Sequence, residues 1–321
     1  MLAVSCTSQS AEDPLSGLTV GERPDPVPPP GWVRVQVRAA SLNHHDLWSL
    51  RGVGLPADRL PMVLGCDAAG IAEDGSEVVV HGLVGDPDWA GDETLDPRRS
   101  ILSELHQGTL AEQVVVPRRN LLPKPAGLSF EQAACLPTAW LTAYRILFVH
   151  AGVKPCDRVL IQGAGGGVST AAIALARAAG LVVWVTGRDA DKRERALVLG
   201  AHEAFQSGAR LPARVDAVLE TVGKATWSHS MRSLRPGGTL VVSGATTGAD
   251  PGADLNRLFF LQLRVVGSTM GTRDELAGLL SLLDTTGVRP QIDEVFGLAE
   301  ARRGFERLAA GDVVGKLVLT P

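Results

Sequence analysis

The sequence predicts an α/β protein in two parts: a mostly β domain whose chain returns at the C-terminus, and an inserted domain built on a doubly wound parallel sheet. Three observations predict it. Residues 158–187 (RVLIQGAGGGVSTAAIALARAAGLVVWVTG) read as strand, glycine turn, helix and strand. Downstream, apolar runs at Val215–Glu220, Thr239–Ser243 and Leu263–Gly267 alternate with helical stretches, the pattern of a parallel sheet covered on both faces. Upstream, short runs punctuated by Gly and Pro suggest a small barrel or sandwich.

Each element has a local reason. Pro24–Gly31 is a proline-rich turn, and Trp32–Ala40 (WVRVQVRAA) alternates apolar and polar residues as a half-buried strand does. Val63–Ala72 and Glu77–Val80 read as strands turned at Gly75, and Gly108–Val116 as another. Asp86–Glu104 is polar and charged and reads as a surface loop. Leu128–His150 is helical in pattern, opened by Ser129 with Gln132 in capping-box spacing. Arg158–Gln162 is an apolar, β-branched run, and Val168–Ala179 is rich in alanine and aliphatic helix formers. Gly180 supplies the helix C′ position before a second β-rich run, Leu181–Thr186. Lys192–Leu199 and Trp227–Leu234 read as helices and Ala204–Phe205 as a short strand. Beyond residue 265 come a helix, Arg273–Leu283, and strand-like runs at Asp293–Phe296 and Gly315–Leu319.

Composition narrows the function class. The chain has 321 residues, 45% hydrophobic and 21% charged, which suits two ordinary globular domains. A net charge of −4 gives no basic footprint for nucleic acid. No run of about 18 apolar residues predicts a membrane span, and the N-terminus lacks the basic start and apolar stretch of a signal peptide. Cys6, Cys66, Cys135 and Cys156 are scattered, without a CxxC pair. That fits the reducing cytoplasm, where the chain is expected to reside.

The turn Gly163-Ala164-Gly165-Gly166-Gly167 carries the chemistry. It follows a strand and opens a helix, where backbone N–H groups and a helix N-terminus meet a dinucleotide pyrophosphate. Ser169 stands where the third fingerprint glycine would allow the closest helix–strand packing. The second strand ends in Thr186-Gly187-Arg188, with no acid for the ribose hydroxyls. A guanidinium suits a 2′-phosphate, and Lys192 one turn on adds charge, so NADPH is the expected cofactor. The competing reading makes Arg188 a solvated loop residue and gives the ribose to Asp189.

Several motifs together resemble a known family. Asn43-His44-His45-Asp46, Gly65-Cys66-Asp67-Ala68-Ala69-Gly70, Gly108-Thr109-Leu110-Ala111-Glu112, Leu141-Thr142-Ala143-Tyr144 and Gly315-Lys316 look like landmarks of the medium-chain dehydrogenase/reductase superfamily, in its order along the whole chain. The nearest likeness is to its quinone oxidoreductase branch. The resemblance implies a GroES-like β-barrel domain over residues 1–123 and 265–321 and a Rossmann doubly wound domain over 124–264. It also implies a homodimer acting on a small-molecule substrate.

Zinc-dependent alcohol dehydrogenases of that superfamily hold a catalytic metal with Cys, His and Cys beside a Glu. The matching places here are Asn43, Cys66 and Thr138, with Asp67 for the Glu. One soft ligand does not make a three-ligand zinc site. The structural-zinc lobe would fall at 81–108, which contains no cysteine. The expectation is therefore no metal, the alternative being an improvised set of Cys66, His44, His45 and Asp67. Without a Lewis acid nothing lowers a substrate hydroxyl pKa, whereas a quinone or enone already delocalises charge onto oxygen. The expected function is NADPH-dependent reduction of a quinone or α,β-unsaturated carbonyl. Alternatives are an enoyl-thioester reductase, an alcohol dehydrogenase of the same superfamily, and a non-catalytic NADPH-binding protein.

The resemblance also distributes roles. Asn43 is expected to hold the substrate oxygen through its amide, His45 to donate a proton, Asp46 to orient them, and Trp48 to wall the pocket. His44, Thr142 and Lys316 are expected at the cofactor. Ala164, Gly165, Gly166, Gly167 and Val168 are expected at the pyrophosphate, and Gly187, Arg188 and Lys192 at the adenosine. Val222, Gly244, Ala245, Thr246, Ser268, Thr269 and Met270 lie at strand ends where the nicotinamide half is expected.

Overall fold

The computed structural model describes residues 1–321. The chain forms two compact units, Met1–Leu141 with Met270–Pro321, and Thr142–Thr269. These limits differ from the expected 123/124 and 264/265 for local reasons. Residues 130–134 pack on the first unit's sheet, while 264–267 pair with a strand of the second.

The first unit opens with β1 (Leu2–Cys6) and β2 (Leu18–Glu22), then β3 (Trp32–Ser41) and α1 (His44–Leu50). Short strands follow: β4 (Met62–Val63), β5 (Ala68–Ala72), β6 (Glu77–Val80), β7 (Leu83–Val84), β8 (Ser100–Ile101), β9 (Gln113–Pro117) and β10 (Leu121–Pro123). The expected strand Val63–Ala72 is broken. Gly65 takes φ +95°, and a Cβ there would lie 2.6 Å from Leu110 Cγ, so the chain must turn away over Leu64–Asp67. The loop Asp86–Glu104 is less superficial than its composition suggests, because Thr94, Asp96, Ser100 and Ser103 are buried within it. The expected helix Leu128–His150 is interrupted: α2 (Phe130–Ala134), a π-helical turn Leu136–Trp140, α3 (Leu141–Tyr144), then a second π-helical turn Arg145–Ala151. Pro137 lacks the N–H that a regular helix needs there.

The second unit runs β11 (Arg158–Gln162), α4 (Gly167–Ala178), β12 (Val182–Gly187), α5 (Ala190–Val198), β13 (Glu203–Gln206), β14 (Val215–Glu220), α6 (Lys224–Ser233), β15 (Leu234–Val242), α7 (Leu255–Phe260) and β16 (Arg264–Gly267). All six strands are parallel, in the order β13-β12-β11-β14-β15-β16. The order reverses between β11 and β14, so the ligand crevice of such a sheet lies at their carboxyl ends.

The chain then returns through α8 (Arg273–Thr286), β17 (Ile292–Gly297), α9 (Ala301–Ala310) and β18 (Lys316–Thr320). Ala301, Gly304, Phe305 and Leu308 are buried at helical spacing, which makes α9 the crossover between parallel β17 and β18. β18 pairs antiparallel with β3, placing Val318 opposite Ser41. This register brings Lys316, at the start of β18, back to the chain leaving β3. Val35, Val37, Leu64, Cys66, Leu110, Leu317 and Leu319 belong to one buried core beneath it.

Candidate active site

In the first unit, Asn43 is the N-cap of α1 and is 7% exposed. Its backbone N–H donates to Asp46 Oδ2 at 2.8 Å, and Gly65 N–H donates to Asp46 Oδ1 at 3.0 Å. One carboxylate thus ties the helix start to the loop carrying Cys66 and Asp67. Asp67 is fully buried and accepts from Ser41 Oγ and Asn43 Nδ2 on Oδ2, both at 2.8 Å, and from Thr138 Oγ1 on Oδ1 at 2.6 Å. Its charge partner is Lys316, 3% exposed, with Nζ 3.5 Å from Asp67 Oδ2. The same ammonium donates to Asn43 Oδ1 at 2.6 Å and Leu42 O at 2.7 Å. Lys has only donors and a carboxylate only acceptors, so this network fixes which end of the Asn43 amide is which.

The three places that hold zinc in the related dehydrogenases do lie together. Cys66 Sγ is 3.3 Å from Thr138 Oγ1 and 3.8 Å from Asn43 Nδ2. Burial, then the Asp67 and Asp46 charges, raise the Cys66 pKa well above that of a free thiol. No set of three or more His, Cys, Asp or Glu side chains is placed to hold a metal ion.

The cluster assigns different work to several expected residues. Both ends of the Asn43 amide are committed to Asp67 and Lys316, so it is a hub of the cluster rather than a free donor to substrate. Lys316 likewise directs its ammonium into this cluster. His45 stands outside it, with Nε2 buried, without a hydrogen-bond partner and at ion-pair distance, 4.0 Å, from Glu104 Oε1. His44 is exposed, yet desolvation around its ring, then the Lys316 and Arg51 charges, lower its pKa. Arg51 stacks 5.0 Å above the Trp48 ring. Sequence reasoning did not reach Ser41 or the hydrogen-bonding role of Thr138, since only the β3–β18 register and the turn at Leu136–Trp140 bring them in.

Asp46 yields a pH prediction. It is fully buried, and burial pushes its carboxyl from 3.8 up to about 6, against the pull of the His45 charge and the Asn43 N–H. A carboxyl raised on folding holds its proton more tightly in the folded state, so stability falls between about pH 4 and about pH 6 and is level above. About two pKa units correspond to ~3 kcal/mol. Asp46→Asn is expected to shrink the stability difference between pH 4 and pH 7 by about that amount, read from urea unfolding. An unchanged difference would exclude Asp46 as its source.

In the second unit, the glycine turn leads directly into α4. Gly163 takes φ +88°, and Gly166 is the N-cap with no side chain over the helix end. A Cβ on Gly166 would have only Ser169 Oγ, at 3.9 Å, within reach. The first N–H groups of a 12-residue helix are thus open to an anion. Gly187 at the end of β12 is buried, and a Cβ there would lie 2.9 Å from Ala164 Cβ, so no acid fits at that place. Arg188 is exposed, and Lys192 lies in the first turn of α5. Asp189 caps α5, with Oδ1 accepting from Lys192 N–H at 2.9 Å.

The ends of β14 and β15 are stitched together. Glu220, fully buried, accepts from Val222 N–H at 2.8 Å, Gly223 N–H at 3.0 Å, Ser230 Oγ at 2.6 Å and Thr226 Oγ1. Thr247 N–H donates to Val222 O at 2.8 Å, so Val222 meets the loop that carries Gly244, Ala245 and Thr246. Ser268 Oγ, just after β16, is buried and unpaired. Thr142 is buried at the start of this unit, and Thr269 is exposed at its end. Met270 is buried with φ +49° in the first unit. An open glycine cradle, an uncapped helix end and an orphaned hydroxyl at successive strand ends fit a dinucleotide.

Comparison with known proteins agrees with this layout. The family models "alcohol dehydrogenase GroES-like domain" and "zinc-binding dehydrogenase" match residues 29–126 and 167–285. A quinone oxidoreductase of Pseudomonas aeruginosa is 30% identical, over 92% of each chain. A solved structure described as an NAD-dependent alcohol dehydrogenase superposes with TM-score 0.93, at 35% identity, over 100% of both chains. The 2-octenoyl-CoA carboxylase reductase CinF, solved with NADP and 2-octenoyl-CoA, superposes with TM-score 0.90 at 28% identity, covering 99% of this chain and 87% of that one. The polyketide synthase protein NorB of Streptomyces orinoci is 33% identical over 91% of this chain, which spans 13% of NorB. The chain belongs to the medium-chain dehydrogenase/reductase superfamily and is an oxidoreductase using a nicotinamide cofactor.

Proposed function

We propose that this chain uses NADPH to reduce a quinone or an α,β-unsaturated carbonyl without a catalytic metal. The observation that supports it most is the buried Asn43–Asp67–Lys316 cluster. Asp67 stands where zinc-dependent relatives keep a Glu beside their metal, and here its charge is balanced by an ammonium held in the protein. Bound NADPH supplies the hydride. The chain's own residues do the rest. The Ala164–Val168 turn and α4 hold the pyrophosphate, while Arg188 and Lys192 face the adenosine 2′-phosphate. Val222, Gly244–Thr246, Ser268 and Thr269 hold the nicotinamide half. His45, whose Nε2 has no hydrogen-bond partner, is the proton donor.

The test is NADPH oxidation against quinone and enone panels, with alcohol-dependent NADP⁺ reduction and metal analysis in parallel. The expected result is enone or quinone reduction that chelators leave unchanged. Stoichiometric zinc, or alcohol oxidation as the dominant activity, would overturn it. An enoyl thioester is the second substrate reading, favoured by the 2-octenoyl-CoA held in the CinF structure.

We also propose a homodimer in the cytoplasm. β16 is an edge strand, and Leu255, Phe259 and Phe260 of α7 with Val265 of β16 are exposed apolar residues beside it. The cytoplasmic reading is supported by four free cysteines. No helix is long and apolar enough to cross a membrane.

A further inference from the structure

We propose that Arg193, a residue outside every motif above, is the fixed cation that selects a 2′-phosphorylated adenosine. This rests on the NADPH reading and names a residue that enforces it. Arg193 lies one turn into α5, half-buried, and its Nη1 donates to Gly187 O at 2.8 Å and Arg188 O at 2.9 Å. Those carbonyls lie at the end of β12 and just past it, where the adenosine ribose of a dinucleotide meets a parallel sheet. A Cβ on Gly187 would touch Ala164 Cβ on one side, at 2.9 Å, and Arg193 Cγ on the other, at 3.2 Å. The guanidinium stem therefore borders the same glycine that borders the pyrophosphate turn.

Two carbonyls on a single nitrogen fix the plane of the guanidinium and leave its Nε and Nη2 edge outside these bonds. A planar fork held in place recognises a phosphate with little ordering at the moment of binding. Arg188, exposed beside it, has no such restraint. The nearby carboxylate Asp189 is turned onto Lys192 N–H as the α5 cap. The geometry thus assigns Arg193 the anchoring role and Arg188 a flexible, supporting one.

The experiment measures dissociation constants of NADP⁺ and NAD⁺ by calorimetry for the wild type, Arg193→Gln, Arg193→Lys and Arg188→Gln. Arg193→Gln is expected to weaken NADP⁺ by about 10- to 100-fold, the usual scale for losing charge-assisted hydrogen bonds, and NAD⁺ by less than about threefold. Arg193→Lys keeps the charge without the fork and is expected to fall between. Arg188→Gln is expected to cost NADP⁺ less than Arg193→Gln does. If Arg193→Gln weakens both nucleotides alike, or neither, Arg193 is not the selector, while a wild-type preference for NADP⁺ would leave the cofactor reading intact. A wild type that binds NAD⁺ as tightly as NADP⁺ overturns the cofactor reading itself. Should Arg193→Gln fail to fold, the Arg193→Lys comparison decides on the same criteria.

Discussion

Lys316→Met is expected to destabilise the protein by about 3–5 kcal/mol, the range for removing one partner of a buried ion pair. The reason lies in what it leaves behind. Asp67 is fully buried, and Lys316 is the one cation placed against it, 3.5 Å away. Methionine fills similar volume but supplies no charge and no donor. Asn43 Oδ1 and Leu42 O lose their bonds at 2.6 and 2.7 Å in the same step. Each buried acceptor left unmatched costs about 1–3 kcal/mol further unless the site relaxes.

A double-mutant cycle separates this from lost packing. Asp67→Asn alone leaves a buried ammonium without its counterion, whereas in the Lys316→Met background it removes the stranded charge. The double variant is therefore expected to be more stable than the sum of the single changes, by about 0.5–3 kcal/mol. Arg303→Met is the comparison, since Arg303 and Glu300 form a pair with side chains 60% and 50% exposed, and such pairs contribute under about 1 kcal/mol. Additive urea-unfolding energies for Lys316 and Asp67 would show that the two charges do not depend on each other.

The same cluster shows where a sequence stops being legible. The βαβ unit could be placed to within a residue or so at its ends, because glycine turn, alanine-rich helix and β-branched strands each mark themselves locally. α1 went unseen: its seven residues are too short for a helical period to show, and it depends on the Asn43–Asp46 cap and on packing. The break at Gly65 lies inside a mostly apolar run, and the neighbour crowding it, Leu110, lies 45 residues on. Lys316 and Asn43 stand 273 residues apart, and no local pattern announces a bond between them. Motif resemblance brought both to notice but gave each a contact with substrate or cofactor. Their side chains are held by each other and by Asp67, which only the register of β18 on β3 decides.

Gly223→Ala is expected to be the most damaging single change in the second unit. Gly223 sits at φ +92°, ψ −131°, a conformation that side chains resist. Its Cβ would fall 2.6 Å from Gly248 O and 2.8 Å from Ala245 Cα, both backbone atoms that cannot swing aside. The loops after β14 and β15 would have to separate. That strains the bonds from Lys224 N–H to Gly248 O at 3.0 Å and from Thr247 N–H to Val222 O at 2.8 Å. It also draws Val222 and Gly223 away from Glu220. Backbone strain of about 1–3 kcal/mol plus two weakened hydrogen bonds of about 1 kcal/mol each gives an expected loss of about 3–5 kcal/mol, with nucleotide affinity falling alongside. Gly166→Ala is the contrast. Gly166 has φ −68° and open space around it, so stability is expected to change by less than about 1 kcal/mol. Its added methyl nevertheless stands where the pyrophosphate approaches the turn, and NADPH affinity is expected to drop at least about tenfold in a protein that melts normally. Unchanged NADPH affinity in Gly166→Ala would remove the pyrophosphate from this turn. Wild-type stability in Gly223→Ala would mean that the two loops are not held as the hydrogen bonds imply.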